Sequence, residues 1–492
     1  MNKVLCGLET EYGLSIVGRG AETQIEDSMA LVRSNPYQRC SIWDYEWESP
    51  RRDLRGFSVD RLQADPVDAQ MGFGEHLGSA QDVRSDQILS NGARLYNDHG
   101  HPEYATPESW SIHEAARLDH LGAQIVWKVA QEFAQRTGYE VRMYRNNTDF
   151  HGSSYGSHES YLMPREIGWQ ACYEALLPLL VVRPIVCGAG KVGSESHTPC
   201  HFQLSQRADF FAEPLNVDTL YRRPIFNTRD EPHADPEKWM RVHVIAGDVN
   251  MNPMSTLMKV GLAQIALLLA VRGQAPIWRL ADPVRAAQAI SRDASLQFEL
   301  KLENGSWTTG YEIIESYLSA AEATGLANEN ADFGNQISPC RQVLESIQGD
   351  QKFAAQNVDW VAKKQMIESF QSEMGWPDGD SRLQAFDLEY HNINPSEGLY
   401  FGLVEMGSVP RWLSEDLWHT PMNSRAALRA YAIRNFPDQL VSASWRSLTF
   451  RQGEGALRVE LPVEFDREMI LPEGASIEEF LAYSKSSDDH QN

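Results

Sequence analysis

No stretch of this 492-residue sequence is apolar for long enough to suggest a membrane span. The longest largely apolar run, 260–271, lies between Lys259 and Arg272 and falls short of the about 20 residues a bilayer requires, so it predicts a buried helix. The first residues reach Glu9 before a signal-peptide core can form, and a cytoplasmic protein is expected. Cysteine is scarce: Cys6, Cys40, Cys172, Cys187, Cys200 and Cys340 include no CxxC pair, which argues against a disulfide framework or a zinc–thiolate site and for reduced, mostly buried thiols. Positive charge is in deficit. Lys and Arg total 44 against 68 Asp and Glu, a net charge of −24 that excludes a nucleic-acid coat. There is no Walker A sequence and no internal repeat. The one GxGxxG match, Gly188 to Gly193, runs into Ser194–Pro199 instead of opening a helix, so a dinucleotide site is rejected, and Cys187 beside it reads as a core thiol.

What the sequence does contain is core and alternation. Hydrophobic residues make up 42% and charged residues 23%, the composition of a soluble globular protein. Between Lys3 and Val17, Val4, Cys6 and Leu8 share one parity while Gly7, Glu9 and Glu11 share the other, which predicts a strand with an acidic face. Residues 43–87 are polar and rich in Gly, Pro and Asp, and are expected to form a mobile insertion acting as a lid. Asn91 to Glu108 reads as strand, sharp turn and loop, and Ser111 to Gln135 as a helix. Val141–Arg145, His158–Met163, Leu177–Cys187, Phe202–Arg207 and Arg241–Ile245 are expected strands, followed by helices from Ser255 to about Ser372. The pattern is α+β. A large catalytic domain over 1–415, a small C-terminal domain over 416–483 and a disordered tail over 484–492 are expected.

Strand parity carries the functional signal. Arg94, Tyr96 and Asp98 project to one face and Leu95 to the other; Glu9 with Glu11, Arg241 with His243, and Gln203 with Ser205 and Arg207 repeat the pattern. A buried core does not favour such faces. Together they predict a polar concavity in a curved sheet, holding an anionic, metal-bound ligand. Carboxylates with histidine and no thiolates favour Mg2+, and arginines supply phosphate contacts, so a Mg-nucleotide site follows. Simpler readings stand beside this one: a solvated strand face for Glu9 and Glu11, a half-buried histidine for His243, a turn cap for Asp98. His99 and His101 resemble a zinc clip but lack a third ligand nearby.

Several blocks resemble the Pup ligase/depupylase family: Gly7-Leu8-Glu9-Thr10-Glu11-Tyr12-Gly13, Asn91-Gly92-Ala93-Arg94-Leu95-Tyr96, His101-Pro102-Glu103-Tyr104, Asn146-Asn147-Thr148-Asp149 and Ser154-Tyr155-Gly156-Ser157-His158-Glu159. Ser205 to Asp209, Asn227 to Asp235 and His243 to Asp248 continue the series in order. The resemblance implies a glutamine synthetase-like fold, with a curved, mainly antiparallel cradle sheet backed by helices and a small C-terminal domain. Trp43 to Pro50 with Arg55-Gly56-Phe57 look like the depupylase branch, which hydrolyses the isopeptide bond between the C-terminal glutamate of Pup and a substrate lysine and often deamidates a C-terminal glutamine of Pup. A Pup–protein ligase and a small-molecule carboxylate-amine ligase stay open as alternatives. By resemblance, Glu9, Tyr96 and Glu103 bind Mg2+, His158 and His243 serve a second metal or the phosphates, and Arg94, Thr106, Arg207, Arg229 and Trp445 hold ATP. The resemblance also implies that Asp98 is the catalytic carboxylate. The implied partners are Pup and pupylated proteins, bound by a monomer without nucleic acid or membrane. Because Pup is acidic, a local basic groove is expected, with Arg222, Arg223 and Arg229 as its candidates.

Overall fold

The structure, a computed structural model, describes all residues except 38, 64–82, 150, 151, 153, 196–199, 378, 412–415, 464, 466–468, 473 and 486–492. Alternating burial along the N-terminal segment builds its organising feature, a nine-stranded sheet. In chain order its strands are β1 (Cys6–Glu11), β2 (Arg39–Cys40), β3 (Gln87–Leu89), β4 (Arg94–Asp98), β5 (His101–Ala105), β6 (Ser157–Pro164), β7 (Glu213–Asn216), β8 (Pro224–Asn227) and β9 (Trp239–Val244). They lie in the order β7-β8-β9-β6-β1-β5-β4-β3-β2, antiparallel throughout except for the β7–β8 pair. The expected α+β class with a mainly antiparallel sheet is what the chain adopts.

Parity decides which face is covered. Cys6 and Leu8 on β1, Tyr161 and Met163 on β6, and Val242 and Val244 on β9 pack against the helices Trp169–Val182 and Pro253–Val271. Leu95 and Tyr104 pack under the helix Ile112–Thr137. That helix starts where Ser111 Oγ accepts from the Glu114 N–H and stops at Gly138 in the left-handed region. It approaches the sheet closely because Gly122 has no side chain: a Cβ there would lie 2.3 Å from the Tyr104 ring. β4 and β5 are joined by His99 and Gly100, both at positive φ, the two-residue turn that keeps strand twist.

Several expectations need correction. Leu177–Cys187 is not a strand; it ends the helix Trp169–Val182 and continues into a short one, Pro184–Cys187. A run apolar on every side has no period to distinguish the two states. Only Phe202–Gln203 of the expected 202–207 strand pairs, with Lys191–Val192 outside the main sheet. Gln203 and Ser205 therefore do not belong to the cradle face. The apolar run 260–271 lies in a 19-residue helix long enough to span a membrane, and its burial within the protein, not its length, accounts for it. In the expected mobile insertion, the described part is anchored at points: Trp43, Asp53 and Leu54 are buried, and the Leu54 N–H donates to the Thr228 carbonyl, while Trp47 and Phe57 are exposed. Residues 64–82, the body of the expected lid, lie outside the described residues.

The helix Arg425–Asn435 and the strands Leu440–Ala443, Ser447–Gln452 and Gly455–Glu460 share a hydrophobic cluster with Cys40, Trp43 and Ile88 at the β2–β3 edge. Glu108, just after β5, pins this helix by accepting from Arg425 Nε at 2.6 Å and from Arg429. Burial opposes ionisation of Glu108, but the Arg429 and Arg425 charges outweigh it and hold its pKa at about 2. Its stabilising contribution is complete above the ordinary value of 4.5 and disappears as pH falls from there toward 2. The gap in urea midpoint between the wild type and Glu108→Gln is expected to shrink over that window. Behind the sheet, Arg183 holds Glu159 through both carboxylate oxygens at 2.7 and 2.8 Å, and both residues are buried. Arg183→Met, which strands the carboxylate, should cost about 3–5 kcal/mol in urea unfolding. Adding Glu159→Gln should recover part of that loss.

Candidate active site

Register assembles the exposed-side residues of the sheet. Glu9 lies opposite His158 on β6 and Ala105 on β5; Glu11 lies opposite Glu103, which in turn faces Tyr96. His243 lies opposite Ser160 on one side and Asn227 on the other. Glu9 Oε2 is 3.4 Å from His158 Nδ1 and 3.9 Å from His243 Nε2. A second group, Glu11, Glu103 and His158, brings its ligand atoms within 4.8 Å of one another.

The electrostatics show what this arrangement lacks. Burial, then the Arg241 and His158 charges, push His243 well below its ordinary value, so the ring is neutral. Its Nδ1 faces Asn227 Oδ1 at 3.2 Å and must donate, so Nε2 carries a lone pair. That nitrogen is buried, has no hydrogen-bond partner among the described residues and turns toward the Glu9 carboxylate. Two electron-pair donors facing each other fit a cation between them, with Asn227 orienting the ring from behind. Burial resists the charge on Glu9, but the His158 hydrogen bond and charge, with Arg241 and Arg94, hold its carboxyl below the usual range. Glu103 moves the other way: burial and the Asp98, Glu11 and Glu9 carboxylates push it well above. Only a cation would let all these carboxylates ionise together. Oxygen and imidazole donors without a thiolate suit a hard divalent ion.

Two cavities flank this row. One is lined by Glu9, Thr106, Ser160, His233, Arg241 and Trp445; the other by Glu11, Asp98, His99, His101, His158 and Arg207. Asp98, at the end of β4, accepts Arg84 Nη1 on one oxygen at 3.0 Å and faces His99 Nδ1 with the other at 3.1 Å. Burial disfavours its charge, yet the His99 and Arg84 charges keep it ionised, far below the usual carboxylate range.

The expected site residues are thus partly gathered. Glu9, Glu103, His158 and His243 converge, and Tyr96 joins them as a neutral phenol bonded to Glu103, its ionisation suppressed by burial and by Glu103 and Glu9. Thr106 and Trp445 share the first cavity; Thr106 Oγ1 also accepts the Leu8 N–H at 3.0 Å. Arg94, Arg207 and Arg229 are not among the described residues lining it. Arg94 is held by Asp86 at 2.7 Å and stacked between Trp43 and Tyr96, so it braces the sheet edge. Arg207 donates to the Tyr155 and Ile245 carbonyls and lines the second cavity. Arg229 is mostly enclosed at a bridge to Asp53, and burial depresses its pKa. The expected basic groove is not formed by its three candidates. Arg222 is exposed but paired with Glu213, while Arg223 is buried and donates to the Ser154 carbonyl. Asn227 and Arg84 were not expected as site residues; Glu11 was expected on the polar face by its parity with Glu9, but not as a metal ligand.

The described family "Pup-ligase protein" matches residues 4–449. A depupylase of Acidothermus cellulolyticus is 36% identical over 468 residues, covering 92% of this chain and 91% of that one. A Pup–protein ligase of Corynebacterium kroppenstedtii is 35% identical over 481 residues, 92% of each chain. Among solved structures, the ligase PafA in complex with the prokaryotic ubiquitin-like protein Pup superposes with a TM-score of 0.78 at 26% identity, covering 99% of this chain and 94% of that one. The Pup ligase PafA with ADP gives 0.72 at 26%, covering 87% and 96%. With a family match over most of its length and relatives this similar across nine-tenths of it, the protein is an enzyme of the Pup ligase/depupylase family.

Proposed function

We propose that this enzyme is a depupylase, hydrolysing the isopeptide bond between the C-terminal glutamate of Pup and a substrate lysine, and by the same chemistry the side-chain amide of a C-terminal glutamine. Asp98 carries the reading. It lines a cavity on one side of the carboxylate row and is held ionised by Arg84 and His99. A carboxylate so depressed is unprotonated and available to act on a carbonyl carbon, directly or through the water it orients. A depupylase at 36% identity supports the same branch. The second reading is the ligase, which the 35% identical Corynebacterium ligase favours.

Glu9, Glu11, Glu103, His158 and His243 would hold Mg2+, and the cavity with Thr106 and Trp445 would hold a nucleotide; the Mg2+ would supply positive charge against the charge that develops on the carbonyl oxygen. The solved ligase with ADP and the solved ligase with Pup support nucleotide and Pup as ligands. Asp98 would then meet the bond from the other cavity, with Arg84 and His99 fixing its orientation.

Incubated with Mg-ATP and a Pup-modified protein, the enzyme should release intact target, and Asp98→Asn should slow release by at least about 100-fold. New conjugates from free Pup ending in glutamate and an unmodified target, with no release in the first reaction, would make the protein a ligase. Metal binding has its own readout. At a Mg2+ concentration about 100 times its Kd, the native state gains about 2.7 kcal/mol. Glu9→Gln and Glu103→Gln should each lose that Mg2+-dependent rise in thermal midpoint while remaining folded without the ion.

A further inference from the structure

The helix Ile112–Thr137 has a face that neither the sheet nor the carboxylate row uses. Leu118, Leu121, Ile125 and Val129 belong to its sheet side. Another face presents Trp127 and Lys128 to a cavity of about 780 Å3, open mouth included. The facing wall is the helix Leu399–Glu405, through Tyr400 and Phe401, with Arg411 beyond it and Arg145 between the walls. None of these six residues lines either cavity beside the carboxylate row, so this is a separate cavity. Its size is that of a small-molecule site.

Charge and shape here point to one chemistry. Lys128 is exposed and Arg411 half-buried, and neither has an ion pair among the described residues, although the chain carries 68 acidic residues against 44 basic ones. The Arg411 guanidinium lies 4.8 Å from the Phe401 ring centre, next to Pro410, whose carbonyl accepts from the Tyr400 hydroxyl. A guanidinium stacked on a ring keeps its N–H edge for a carboxylate. Arg145 is 1% exposed; Asp119 accepts from both of its terminal nitrogens, and its Nε has no hydrogen-bond partner among the described residues. Asp119 also accepts from Thr10 Oγ1 at 2.7 Å, which ties this part of the cavity to β1 between Glu9 and Glu11. Trp127, Tyr400 and Phe401 supply flat apolar walls, and the cations supply a counter-charge. We propose that this cavity is a second ligand site, taking a small aromatic carboxylate whose ring packs on Trp127 and Tyr400 and whose carboxylate meets Lys128 and Arg411. The proposal is independent of the depupylase reading.

The probe is 2-naphthoate, titrated into the full chain by calorimetry beside acetate, which lacks the ring, and 2-naphthalenemethanol, which lacks the charge. 2-Naphthoate is expected to bind one site with a Kd below about 1 mM, and both controls at least about tenfold more weakly. Lys128→Glu, a change at an exposed position, and Arg411→Glu should each weaken 2-naphthoate by about tenfold or more. Absence of saturable binding in that range, equal binding of the uncharged control, or undiminished binding to both variants would refute the site. Displacement of bound 2-naphthoate by Pup would assign the cavity to a Pup-binding surface and overturn the proposal as well.

Discussion

Crowding of carboxylates on one face of a sheet is the constraint on which the rest of this structure depends. Glu9, Glu11 and Glu103 sit on adjacent strands of an antiparallel sheet, in direct register or one step removed. Like charges this close, partly out of water, oppose one another and raise the pKa of the most enclosed member, which is Glu103. The sheet tolerates them because its other face is apolar and covered by long helices, so the fold's stability is set behind the site and not in it. The back face also carries charge, but as closed pairs such as Glu159 with Arg183. On the front face Glu9, Glu11 and Glu103 gather instead with the imidazoles of His158 and His243.

The row of carboxylates also divides the front of the sheet into two chemical environments. On the side of β6 and β9 the cavity has Thr106, Arg241 and Trp445, the last brought in by the C-terminal segment that Glu108 anchors through Arg425 and Arg429. On the side of β4 the cavity has Asp98 and its two partners. A group bound in either cavity would reach the same row, so a ligand's charge on one side is compensated by groups that also face the other. This arrangement suits a reaction in which one ligand activates and the other is changed. The arginines take supporting parts: Arg94 stiffens the sheet edge against Trp43, and Arg207 knits the loops around Tyr155 to the end of β9.

Strand parity in the sequence by itself determined which residues face away from the core: the alternation of Cys6 and Leu8 with Glu9 and Glu11 allows one arrangement only when one face is buried, and the motifs that share this alternation determined the family. It could not determine register, because pairing between strands more than a hundred residues apart leaves no local trace. Register alone set Glu9 against His158, and Asn227 behind His243. Leu177–Cys187 and Phe202–Arg207 were misread for the same reason, since short apolar runs lack a period and their pairing partners lie far away in the chain. Charge told still less: Arg222, Arg223 and Arg229 are one kind of residue in the sequence, and only packing left the first exposed, buried the second and half-buried the third. Chemistry and facing are local properties of the chain, whereas ionisation, ligand convergence and access depend on what lies opposite, and that was decided by the tertiary structure.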